Sequence, residues 1–345
     1  MSMIKKTKNV TIKLLLPIAT VFILASCSKN IATPSANEEI KNAHIRGQNS
    51  LDFSDSLKKL GMMTKIYNTK TLRIQLGGIY DETGCSASTG AQIPRKVTTA
   101  AADSLLKIEG NIRLIPYNPD FLAMSVNTGY SDFKNKIKPD IAITGGITEC
   151  DGFIMASVLK DKEDSHYKSL SINYNMLDFK TLTYIPGQTV SAIFESTNYN
   201  NTVQEVIHNN LMLNNYPNSR IRGFHHATRV LTQVSLIELI GKHLNLPYWN
   251  ILPNHKADDK VVNNIKQAFK RVSTSSRIKF LQELLFVHGF DIAINSNLDE
   301  DTIQALSKLD INLPENNLTF EALFKVYSTV PTTESAIERR SLLNK

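Results

Sequence analysis

"TLRIQLGGIY", residues 71–80, alternates Leu72, Ile74 and Leu76 with polar neighbours and ends towards Gly77-Gly78. Side chains two apart on a strand share a face, so this spacing predicts a half-buried β-strand. The loop "DETGCSASTGAQIP" follows, dense in Gly, Ser and Thr. In "RKVTTAAADSLLKIEG", Val97, Ala100, Ala101, Leu105 and Ile108 then fall on one helical face, with Gly110 as the stop. "NIRLIPY" (111–117) reads as a second strand, and "PDIAITGGITEC" (139–150) as a third, apolar enough for a sheet interior. Strand, helix, strand, strand defines an α/β chain.

Further on, "SLSINYNMLDFKTLTYIPGQTVSAIFES" reads as a hairpin. Ile172, Tyr174 and Met176 alternate, Asp178-Phe179-Lys180-Thr181 turns, and the return strand passes Tyr184 towards Val190 and Ile193. A long helix is predicted from Thr228 to Leu244, with Val230, Leu231, Val234, Leu236, Ile237, Leu239 and Ile240 over a wide face, and another from Asp258 to Val272.

The N-terminus is a secretory signal. Lys5, Lys6, Lys8 and Lys13 precede an apolar run from Leu14 to Leu24, too short to cross a bilayer, which closes on Ala25-Ser26-Cys27. Leu-Ala-Ser-Cys resembles the lipobox of bacterial lipoproteins, which implies a covalent lipid on Cys27 after removal of residues 1–26; the other reading is an ordinary signal with an incidental Cys. Several acyl chains on one residue make an effectively permanent anchor, and Ser28, where an Asp would suggest inner-membrane retention, points to the outer membrane. Cleavage removes four lysines and lowers the formal charge from +7 to +3, so nothing calls for a nucleic-acid partner. The remaining cysteines, Cys85 and Cys150, would meet an oxidising compartment, where they are candidates for a disulfide or for two buried thiols. Residues 27–69 read as the acylated Cys and a polar, flexible tether.

The strand ending in Asp81-Glu82-Thr83-Gly84, the Ala-rich helix, "IRLIP", "DIAITGGIT", "INYNMLDFKTLTY" and "LPYWNIL" resemble, in order and spacing, the curli production assembly/transport (CsgG) family. That resemblance covers roughly Leu72 to Val272 and implies an outer-membrane lipoprotein that assembles into a ring, each subunit giving two hairpins to one barrel. The chain departs from the family at those hairpins. Six of the eight residues from Asp161 to Lys168 are charged or His, which suits a solvated loop, and the Asn-rich stretch 197–224 alternates poorly.

The C-terminal "FLQELLFVHGFDIAINSNLDEDTIQALSKL" (280–309) predicts two short helices and a polar loop, with Ser276 and Asp299 as caps and Gly289 as a left-handed stop; a third helix starts at Thr319. Leu281-Gln282, Leu285, Gly289-Phe290, Asp299, Thr302 and Ala305-Leu306 resemble the repeat of the peptidoglycan-binding domain of cell-wall hydrolases. Gly289, Asp291, Asn295, Asn297 and Asp299 are the glycan-binding candidates. Asn and Asp are also simply good loop and cap residues.

Catalytic chemistry is sparse. His225-His226 lacks the i, i+4 spacing of a helical metal pair, no GxSxG or P-loop occurs, and nothing around Cys85 activates a thiol. No enzyme activity, no metal and no cofactor beyond the covalent lipid is expected. The sequence therefore predicts an α/β, CsgG-like periplasmic sheet with flanking helices (70–272), a three-helix peptidoglycan-binding-like domain (273–330) and a flexible tail (331–345). The expected function is a homo-oligomeric ring or scaffold of an envelope secretion or surface-assembly machine, touching other envelope proteins and peptidoglycan. The alternatives are an export channel subunit and a wall hydrolase.

Overall fold

The structure is a computed structural model that describes residues 51–116, 137–151, 166–199, 202–207, 211–212, 223–314 and 317–344. Strand β1 (Leu72–Asp81) pairs in parallel with β2 (Ile112–Ile115) on one side and β3 (Ile141–Asp151) on the other. Three antiparallel steps continue from β3 through β4 (His166–Asp178) and β5 (Thr183–Tyr199) to β6 (Thr202–Ile207), and the two-residue β7 (Leu211–Met212) ends the sheet. The seven described strands thus run β2-β1-β3-β4-β5-β6-β7, a mixed sheet.

Alternation sets its two faces. Ile74, Ile143, Tyr174 and Val190 are buried, while Gln75, Thr144, Asn173 and Ser191 beside them stay half-buried or exposed. Gly77-Gly78 does not end β1: the register with β3 shifts between Leu76 and Ile79, and the strand runs on to Asp81. Likewise Gly145-Gly146 is mid-strand. A Cβ on Gly145 would stand 2.1 Å from the Asn173 carbonyl oxygen, so glycine is what lets β3 and β4 close up there.

The buried face carries helices. Helices α1 (Ser54–Ile66), α2 (Cys85–Ser88) and α3 (Thr98–Leu106) precede β2, and α4 (Phe224–His243) follows β7. All seven apolar residues expected on the long helix are buried, and so are Thr228, Thr232, Gln233, Ser235 and Glu238, because α4 lies between the sheet and α1. Of the buried hydroxyls in this layer, those of Tyr174 and Thr232 find partners, whereas those of Thr228 and Ser235 have none among the described residues. Tyr174 donates to Thr232 Oγ1 at 2.9 Å, and Thr232 donates to the Thr228 carbonyl at 2.7 Å.

Two expectations are corrected. The tether does not extend to residue 69: Ser54–Ile66 is helical, and Leu57, Leu60, Met63 and Ile66 recur every third residue on its buried face. Their polar neighbours disguised that stripe. Nor is 331–345 a free tail, since Glu334–Leu343 forms helix α9, capped by Thr333, with Arg340 only 5% exposed. Between them, α5 (Asp259–Arg271), α6 (Thr274–His288), α7 (Glu300–Ser307) and α8 (Phe320–Thr329) complete the chain. The three expected C-terminal helices are present, and α9 packs on α6 and α1 as a fourth.

Two hydrophobic cores result. The first lies between sheet and helices; the second gathers α6 to α9 and takes in Ile66 from α1. Tyr327 Oη donates to the Asn245 carbonyl, Asn250 Nδ2 to the Ser328 carbonyl, and Trp249 stands 6.3 Å from Phe324. By contact density residues 48–345 form one unit, so the expected boundary at 272/273 is not a contact boundary.

Candidate functional site

Gln282, on α6, is fully buried and organises the candidate binding loop. Its Nε2 donates to Asn295 Oδ1 (2.9 Å), the Asn297 carbonyl (2.8 Å) and Thr302 Oγ1 (3.1 Å), and its Oε1 accepts from the N–H groups of Asn295 and Ser296. One amide thus closes the loop from both sides. The candidates divide accordingly. Gly289, at φ 116°, ends α6 in the left-handed region. Asp299 caps α7 by accepting from the Thr302 N–H (2.9 Å) and hydroxyl, and Asn295 donates to its other oxygen at 2.7 Å. The Thr302 hydroxyl and N–H, then Asn295, hold the Asp299 carboxyl below the usual carboxylate range. Asp291 pairs with Arg339 at 2.7 Å while its side chain stays 88% exposed.

Asn297 differs, since its N–H and carbonyl are used and its side chain makes no hydrogen bond among the described residues. Of the five, Asp291 and Asn297 are exposed and take no part in the hydrogen bonds that Gln282 makes with side chains. The helix cap is Ser273, whose Oγ accepts from the Ser276 N–H, and not Ser276 as expected from sequence.

Cys27 lies outside the described residues. Cys85 and Cys150 form a disulfide with a Cα–Cα distance of 6.4 Å, tying the start of α2 to the end of β3. The two stretches in which the family would have its barrel hairpins also lie partly outside the described residues. His166–Lys168, read as loop, begins β4, and Thr202–Ile207 forms β6 despite its poor alternation, because the long β5 offers it an edge.

His225 and His226 hold chain segments together. Their Nε2 atoms meet the carbonyls of Ala91 (2.9 Å) and Leu51 (2.8 Å), and the described residues contain no group of three or more His, Cys, Asp or Glu placed to hold a metal ion.

A polar cleft of about 660 Å³ lies among Thr189–Ser191 of β5, Glu238 and Lys242 of α4, Tyr248 and residues 254–260. Lys242 bonds Glu238 and approaches Asp258 at 3.6 Å, and Tyr248 donates to Asp258 at 2.7 Å. Burial, then the nearby Glu238 and Asp258 charges, push the Tyr248 hydroxyl far above its usual range, so it stays a neutral donor. The lining residues lie up to 71 positions apart (Thr189 to Lys260), which is why no local pattern reveals the cleft.

No family model and no curated protein matches the chain. A point variant of the PelC dodecamer from Paraburkholderia phytofirmans is similar over 49% of this chain and 89% of its own, at 13% identity and a TM-score of 0.23. A second PelC dodecamer from that organism covers 48% of this chain and 86% of its own, at 12% identity and a TM-score of 0.21. The resemblance to the curli channel family rests on the order and spacing of the sequence motifs quoted above.

Proposed function

We propose that this chain is a non-enzymatic outer-membrane lipoprotein, held by acyl groups on Cys27 and facing the periplasm. It forms an oligomeric ring or scaffold, with a CsgG-like sheet, in an envelope-spanning secretion or surface-assembly machine, and it touches peptidoglycan through its C-terminal helices. The observation that carries this reading is the division of labour among three cysteines: one sits at the end of a lipobox-like signal, and the other two are closed as a disulfide, which requires an oxidising compartment. The polarity of the fold supports the tie between layers. Leu51 lies against the N-terminal end of α4 through His226, whereas the C-terminal helices meet its other end at Asn245 and Asn250. A helix of 20 residues separates them, a span of about 30 Å.

The test is co-sedimentation of the chain from Ser28 onward with purified sacculi, beside Asp291→Ala/Asn297→Ala. Pelleting that the double variant loses supports wall contact; absence of pelleting by the unaltered chain removes it. A second reading, the export channel subunit, has one observation in its favour. The β3–β4 and β5–β6 connections leave the same end of the sheet, and β5 is 17 residues long, more than the roughly 9–11 that span a bilayer. Ion conductance by detergent-purified oligomers in planar bilayers would support the channel, and rings without conductance would remove it.

A further inference from the structure

Charge is segregated along α5, α6 and α7. From Lys260 to Lys279 there are six Lys or Arg and no Asp or Glu; from Phe280 to Ser307 there are five Asp or Glu and no Lys or Arg. The basic block borders an apolar cleft of about 200 Å³ between α5 and α6, lined by Ile265, Phe269, Val272, Phe280 and Leu323, with the Arg277 guanidinium 4.3 Å from the Phe269 ring centre. Val272 and Phe280 are 45% and 37% exposed there. The Arg277 Nε is buried without a hydrogen-bond partner among the described residues. On the acidic block, Glu300 and Asp301 are exposed in the first turn of α7. Half-buried Ile303 shares a face with Glu300 at i, i+3.

The two blocks do not neutralise each other within the chain. Among the described residues, Lys266, Lys270, Arg271, Arg277 and Lys279 make no salt bridge, and neither do Glu300 and Asp301. A basic apolar cleft and an acidic helix start with an apolar side chain, on helices that share one core, are complementary surfaces of different kinds. Contacts of that head-to-tail type close into rings when the rotation allows.

We propose that the α5–α6 cleft of one copy receives the start of α7 of the next, Glu300 and Asp301 facing Lys270, Arg271 and Lys279, with Ile303 entering the cleft. The contact rests on the oligomeric reading above and gives it a surface. Opposite charges steer the encounter, and salt weakens it.

The experiment is mass photometry on the chain from Ser28 onward, with thermal melts as the folding control. The unaltered chain is expected to assemble at low salt. Lys270→Glu/Arg271→Glu/Lys279→Glu and, separately, Glu300→Lys/Asp301→Lys should each fall to the mass of one chain. A chain carrying all five reversals should reassemble, as should an equimolar mixture of the two variants. Should a reversal unfold the protein, Lys270→Gln/Arg271→Gln/Lys279→Gln removes charge without adding any and should weaken assembly at least tenfold. A triple reversal or neutral variant that keeps the unaltered mass overturns this contact but leaves the ring standing; so does a five-reversal chain that stays single. An unaltered chain that is single at every concentration overturns the ring and the contact together. Vesicles of phosphatidylcholine and phosphatidylglycerol supply the other outcome: pelleting that the triple reversal abolishes while assembly is untouched makes the cleft a lipid site and overturns the proposal.

Discussion

Replacing Gln282 with Leu keeps most of its volume and removes the bonds that close the 295–302 loop. The Asn295 and Ser296 N–H groups then lose their acceptor, and a loss of roughly 3 kcal/mol in urea unfolding is expected from stranding such donors. Asn297→Ala, whose side chain bonds nothing described, should stay within about 0.5 kcal/mol of the unaltered protein. Acid should act through Asp299. Its carboxyl titrates lower folded than unfolded, so its contribution is complete above the unfolded value and is lost as pH falls through the folded one. Melting temperature should therefore drop more between about pH 5 and about pH 2 for the unaltered protein than for Asp299→Asn; equal drops would remove Asp299 as the source. At this scale the sequence was half legible. Asp299 as cap and Gly289 as stop follow from local backbone rules, whereas Gln282 as organiser does not, since its partners lie 13 to 20 positions away.

The disulfide closes a separation of 65 residues and joins the start of α2 to β3. Cys85→Ser/Cys150→Ser should cost about 2–4 kcal/mol, mostly by freeing the unfolded chain; an unchanged urea midpoint would mean the bridge is redundant with the sheet. Strands and helices with a clean period were readable: Leu72, Ile74 and Leu76 for β1, and Val230 to Ile240 for α4. The misread elements share a cause. In α1 and α9 the apolar stripe is thin, and polar groups complete the packing through distant partners, as when Arg340 donates to the Ile66 carbonyl and bonds Glu283. Composition favours a tether and a tail; tertiary contacts override it. β6 likewise forms on a partner edge and not on its own alternation.

Across the whole molecule, α1 belongs to both cores, with Leu57, Leu60 and Met63 in one and Ile66 in the other. Ending the chain after Lys270 would therefore not release a finished α/β domain. It would bare Ile66, Tyr67 and Trp249, and such a form should bind a hydrophobic dye and unfold at lower urea than the full chain. A truncated form that melts like the full chain would show the second core to be dispensable. Sequence patterns display which faces are apolar, but not that one short helix serves two of them.

The segment just before α1 has a mechanical consequence. Leu51, Asp52 and Phe53 are strapped to α4 by His226 and by Gln233, which accepts from the Phe53 N–H and donates to Asp52. Tension arriving along the chain from its N-terminal side would thus load the middle of the core in shear, through several bonds at once, before it could peel α1 away one turn at a time. Strapped in this manner, the start of α1 is shielded from being pried out end first.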